Sequence, residues 1–189
     1  MHRRVLAVCA ATVVTVAVMG AAGCSGKKTD LSKLDSSPPA APTEAVDDRE
    51  AKARAAALDA YNRFTELYVK LSLTSDFNGK AALSQFVGEP LLGDLTYDLY
   101  LKNQQGLVAT GQPVWRAKVS RANMSARPFT IEIEDCFDGT NWTTVYKATG
   151  KPAQAPGQAL KYVVISEAVQ YDDGRWKIRK STPNRERSC

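Results

Sequence analysis

The chain reads as an α+β domain in which N-terminal helices pack on one face of an antiparallel β-sheet. Three observations predict it. Apolar residues recur at spacings of three and four from Arg49 to about Gly106. After Gly111 the apolar period falls to two. Clusters of turn-forming residues then divide the second half into short strands.

The first helix starts at Arg49 and ends near Ser72. Ala53, Ala57, Ala60, Phe64, Leu67 and Leu71 form its apolar stripe, and Glu66 stands four residues before Lys70, a favourable pair on a helix surface. "DFNGKAALSQFV" follows, with Asp76 or Asn78 available to cap a short second helix. Pro90 suits the first turn of a third helix that carries Leu92, Leu95 and Leu99 on one side, and Gly106 is its natural stop.

Beyond Gly111, "PVWRAKVSRA", "PFTIEIEDCF", "LKYVVISEAVQY" and "RWKIRKS" read as strands, with "NWTTVYKAT" a further one. "ANMSARP" and "DGTNW" separate them. The Asp173-Gly174 pair predicts a two-residue hairpin.

Ahead of the helices lies a different kind of segment. "MHRR" is a short cationic stretch, and Val5 to Met19 form an apolar run shorter than the roughly 20 residues that span a bilayer, which together make an export signal over residues 1–23. Its end, Ala21-Ala22-Gly23-Cys24, resembles the bacterial lipobox. That resemblance implies cleavage before Cys24 and a diacylglycerol on its thiol, hence a lipid anchor at the outer face of the cell membrane. The usual leucine three residues before the cysteine is replaced by Ala21, which leaves an ordinary secretory signal as the alternative. Residues 24–48 are then a tether: rich in Ser, Pro, Ala, Asp and Lys, they lack the apolar surface that would offset the entropy of ordering. Two acyl chains on one cysteine hold far more firmly than one, since each buried methylene contributes about 0.8 kcal/mol.

The totals agree with an exported globular body. Of 189 residues, 44% are hydrophobic and 24% charged, ordinary values for a folded domain. Without Arg3 and Arg4 the 25 basic residues become 23 against 20 acidic ones, and the net charge falls from +5 to +3. The basic residues are dispersed without aromatic interleaving, so no nucleic-acid partner is expected. Arg185 and Arg187 read as a solvated tail.

The alanine-rich first helix, the "ALSQF" helix, the third helix running into "LYLKNQQGLVATGQPV", then "IEIEDCFDGTNW", "ATGKP", "DDGRWKI" and terminal Cys189 together resemble the small secreted proteins and lipoproteins of actinobacteria. The resemblance covers about residues 50–189. It implies an NTF2-like (SnoaL-like, cystatin-like) cone over residues 49–189, a fold that hosts isomerases, hydratases and pure binding modules alike.

Four cysteines are present. Cys9 leaves with the signal and Cys24 takes the lipid, so Cys136 and Cys189 remain, and an exported domain most simply pairs them. Free thiols are the alternative; two thiolates without histidine make a poor zinc set. The only histidine is His2, inside the signal, so imidazole-based catalysis has no residue to use in the mature chain. Neither nucleotide-binding glycine motif occurs. No cofactor or metal is expected.

Asp135 alone carries a catalytic possibility. By strand parity it shares a face with Phe129, Ile131, Ile133 and Phe137, and Cys136 points to the other side. In an NTF2-like cone that face lines the pocket, where a desolvated carboxyl resembles the general base of ketosteroid isomerases. A bulge near the strand end, or a Lys or Arg partner, would account for Asp135 structurally. Trp115, Trp142, Trp176, Tyr61, Tyr68, Tyr97 and Tyr100 are candidates for lining a cavity or a groove.

The leading expectation is a tethered, non-catalytic domain that binds a protein partner or an envelope component. A carrier of small apolar ligands is the alternative, and an isomerase or dehydratase using Asp135 a third. A carrier needs an apolar cavity of about 300 Å³ or more; the enzyme also needs Asp135 at its wall. A partner-binding domain needs an exposed apolar patch.

Overall fold

A computed structural model describes residues 43–153 and 156–189, with side chains from Asp48 onward; the signal segment, Cys24 and the tether up to residue 42 lie outside the described residues. Helix α1 (Thr43–Ser72) starts six residues earlier than expected, so the last part of the predicted tether, 43–48, is helical. The reason is visible in the sequence, because neither glycine nor proline interrupts the chain between Thr43 and Ser72. Its end is a Schellman turn: Ser75 adopts φ +52°, the Asp76 N–H donates to the Leu71 carbonyl, and the Ser75 N–H donates to that of Ser72.

A short 3₁₀ turn (Phe77–Gly79) follows, capped by Asp76, which accepts the Asn78 N–H, and it leads into α2 (Lys80–Leu83). Helix α3 (Leu91–Gln104) begins directly after Pro90 and ends before Gly106, whose φ is +65°. Thereafter the chain is all strand: β1 (Leu107–Gly111), β2 (Ala117–Asn123), β3 (Thr130–Asp138), β4 (Trp142–Tyr146), β5 (Lys161–Gln170) and β6 (Trp176–Asn184).

Strands β2, β3, β5 and β6 form one antiparallel sheet in that order, and β1 pairs with β4 in a separate ribbon. Strand β1 was not expected, nor was the division into two sheets. Its physical basis lies in "GQP". Gly111 has φ +85°, and a Cβ there would lie 1.9 Å from the Asn141 carbonyl oxygen, so only glycine fits. Pro113 then offers no N–H to continue a ladder, and an isolated bridge from Val114 to Asp138 joins the segment to the larger sheet.

The β5–β6 connection also differs from the two-residue hairpin. The Tyr171 N–H donates to the Arg175 carbonyl, which makes Asp172-Asp173-Gly174 a three-residue loop with Gly174 at φ +79°.

The helices cover a single sheet face, as the fold class requires. Ala53, Ala57, Ala60 and Phe64 of α1, Leu83 and Val87 around α2, and Leu92 and Leu99 of α3 pack with Ile131, Ile133, Ala168 and Ile178. On that face the register sets Ile131 against Ala168, Ile133 against Ser166, and Asp135 against Val164. The β6 edge is covered by the segment after α2: the Ile178 N–H donates to the Phe86 carbonyl, and the Gly88 N–H donates to that of Ile178.

Cys136, on the opposite face, forms a disulfide with Cys189, with Cα atoms 5.7 Å apart. In the chain-entropy description, closing a loop over a sequence separation of 53 stabilises the fold by about 4 kcal/mol. The tail is further held by Arg187, whose carbonyl accepts the Val163 N–H and whose guanidinium pairs with Glu134 at 2.9 Å. Arg187 is therefore docked on the sheet and not a solvated end.

Ile133 is fully buried at the centre of this packing. Replacing it with alanine is expected to lower unfolding free energy by about 2 to 5 kcal/mol, measured by urea denaturation.

Candidate functional site

Along the buried stripe of α1, small side chains give way to large ones. Ala53, Ala57 and Ala60 precede Tyr61, Phe64 and Tyr68, and where the alanines end a cleft opens between α1, α3 and the sheet. Its volume is about 810 Å³, within the ~300 to 1,000 Å³ that small-molecule sites occupy. Helix α1 contributes Tyr61, Phe64, Tyr68 and Val69; α3 contributes Leu91, Leu95 and a charged edge of Asp94, Asp98 and Lys102. The larger sheet supplies Phe137, Tyr162 and Val164, the β1–β4 ribbon supplies Trp142, and Leu160 and Arg185 complete the rim.

Two tyrosines seven residues apart on α1 anchor the floor, each to a carboxylate on another element. The Tyr61 hydroxyl donates to Asp135 Oδ2 at 2.9 Å, and the Tyr68 hydroxyl donates to Asp98. Asp98 is also paired with Lys102 at 2.8 Å. Burial pushes both phenols above the ordinary tyrosine range, and the adjacent carboxylates push in the same direction. Both hydroxyls thus stay protonated at neutral pH and act as donors.

Asp135 has no exposed surface. Its Oδ1 accepts the Arg116 backbone N–H at 2.6 Å, so both carboxylate oxygens have a donor. Burial raises its pKa above the ordinary value of 3.8, against the opposing pull of these two hydrogen bonds. The anticipated structural accounts are both replaced. No Lys or Arg side chain pairs with Asp135 among the described residues, and the sheet's bulges fall at Ser120 and Arg179, away from it. A phenol and a backbone amide do the work expected of a cation.

This geometry bears on chemistry. Tyr61 lines the cleft and Asp135 does not, so the carboxylate lies outside the cavity wall that a general base would need to occupy. Among the aromatic candidates, Tyr61, Tyr68 and Trp142 line the cleft, whereas Trp115 and Trp176 belong to the core cluster. Tyr97 and Tyr100 point outward from α3, 60% and 42% exposed, with their rings stacked at 6.4 Å. Among the described residues no cluster of metal-ligating side chains occurs, and no helix is long and apolar enough to cross a membrane.

Sequence reasoning missed Asp98 and Arg185. A signal for the first existed in the Tyr61 and Tyr68 repeat, which predicts two equivalent partners. Arg185 gave none, since its place depends on how the tail folds back.

The fold and the cleft define a class: an α+β domain with helices on one sheet face and a ligand-sized space between the layers. No protein-family model matches the chain, and no curated protein matches it. Among solved structures the chain is similar to the intermembrane-space region of the chloroplast protein ARC6, with 17% identity and a TM-score of 0.39, over 67% of this chain and 95% of that one.

Because the folded state raises the pKa of Asp135, its contribution to stability is complete below about pH 3.8 and is lost as pH rises through the raised value. Asp135→Asn does not titrate. The urea midpoint of the wild type, measured relative to this variant, is expected to fall as the pH is raised above 3.8; a constant difference would contradict the assignment.

Proposed function

We propose that this chain is a lipid-anchored, extracytoplasmic binding domain of NTF2-like type, non-catalytic, whose cleft holds a small apolar ligand. The observation that carries the reading is the cleft itself, about 810 Å³ in volume and walled by aromatic and aliphatic side chains from α1, α3 and the strands. Four of its polar groups are already engaged: Tyr61 with Asp135 behind the wall, and Tyr68 and Lys102 with Asp98. Such a site offers an apolar ligand burial and asks few hydrogen bonds of it. A carboxylate outside the cavity wall, and a mature chain without histidine, support binding over turnover.

A specific observation favours a second reading, recognition of a protein partner or envelope component. The stacked Tyr97 and Tyr100, beside the partly exposed Leu101, form an aromatic patch of the kind found at interfaces. In either reading the lipobox supports attachment through Cys24.

Native mass spectrometry of the protein extracted from its own membrane tests both parts together. The expected mass carries a diacylglyceryl adduct on Cys24 and a non-covalently retained small molecule. An unmodified amino terminus contradicts the anchor; an empty chain retaining a protein subunit favours the second reading over the first.

A further inference from the structure

We propose that the cleft takes a single hydrocarbon chain ending in an oxyanion, a fatty-acid-like amphiphile, with the head on Arg185 and the chain between α1 and α3. The proposal rests on the binding reading above and names the class of ligand. Phe64, Leu95, Trp142, Leu160, Val164 and Pro183 supply an apolar lining that would bury a hydrocarbon.

Four charged side chains line the cleft: Asp94, Asp98 and Lys102 on α3, and Arg185 beyond β6. Asp98 and Lys102 neutralise each other at 2.8 Å. Asp94 and Arg185 have no ion-pair partner among the described residues, and of these two Arg185 is the cation. Its guanidinium donates to the Ala159 carbonyl at 2.7 Å and lies over the Tyr162 ring, 4.3 Å from the centroid. Neither contact cancels the charge, and only one of the five guanidinium N–H groups is used by that carbonyl.

The cation is also held in place. Although Arg185 is exposed, its guanidinium is in contact with both the Tyr162 ring and the Ala159 carbonyl. Two residues on, Arg187 pairs with Glu134, and four residues on, Cys189 is bonded to Cys136. A planar, preorganised fork at the end of an apolar cleft is suited to a carboxylate or phosphate group, which it can meet with two parallel hydrogen bonds. Asp94, on the α3 wall, repels an oxyanion from that side and so sets the direction in which the ligand lies.

The test uses the full chain carrying Cys24→Ser, which removes the thiol that would be acylated. Isothermal titration below the micelle concentration compares laurate, dodecanol and dodecyltrimethylammonium. Laurate is expected to bind tightest, the cation weakest. Arg185→Gln is expected to weaken laurate about tenfold or more and to leave dodecanol within about twofold. Arg185→Lys, which keeps the charge but not the fork, falls between, and urea midpoints confirm that both variants fold. If laurate and dodecanol bind alike and Arg185→Gln changes neither, or if the cation binds best, the oxyanion assignment is overturned while the cleft reading stands. If none of the three binds, both fall.

Discussion

A carboxylate cannot be placed in an apolar core without donors to replace the water it loses. Asp135 sits on β3 between Val164 of β5 and Ala117 of β2, with no exposed surface, and the Tyr61 hydroxyl and the Arg116 N–H are what make that position tolerable. The two bonds do more than satisfy the charge. Arg116 lies just before β2 and Tyr61 lies halfway along α1, so a single side chain joins the longest helix, the edge of the sheet and its central strand. A hydrophobic contact in the same place would fix distance but not orientation. The directional hydrogen bond fixes which face of α1 meets the sheet.

The cleft follows from that orientation. With Tyr61 turned toward Asp135, Phe64 and Tyr68 fall on the same side of the helix, and Tyr68 finds Asp98 on α3. Helix α1 is thereby tied at two polar points, to the sheet through Tyr61 and to α3 through Tyr68, with Phe64 between them. On the opposite face, the Cys136–Cys189 bond and the Arg187–Glu134 pair hold the tail, which brings Arg185 to the rim. Adjacent residues of one strand thus serve both sides: Asp135 seats the helix and Cys136 seats the tail.

Much of the fold was legible in the sequence, for reasons of periodicity. The α1 stripe from Ala53 to Leu71, the Asp76 cap and the alternation that put Asp135 inward and Cys136 outward all follow from local geometry. What was not legible depended on contacts far apart in the chain. Gly106 marks where the helix stops, but nothing local assigns Leu107–Gly111 to a strand, an identity that comes from pairing with β4. Asp135 illustrates the same limit at the site. Parity revealed that an acid faces the core, but its partners lie 74 and 19 residues away, and the sequence offered a cation where the fold uses a phenol. Arg185 was opaque for a like reason, because its role comes from the folding back of the tail.

The central claim is that the Tyr61–Asp135 hydrogen bond seats α1 against the sheet. A double-mutant cycle with Tyr61→Phe, Asp135→Asn and the double variant, followed by urea unfolding at neutral pH, measures it directly. The account predicts a coupling energy of about 1.5 to 3 kcal/mol, the range for hydrogen bonds to charged groups. Single-variant effects that add to within about 0.5 kcal/mol would contradict it.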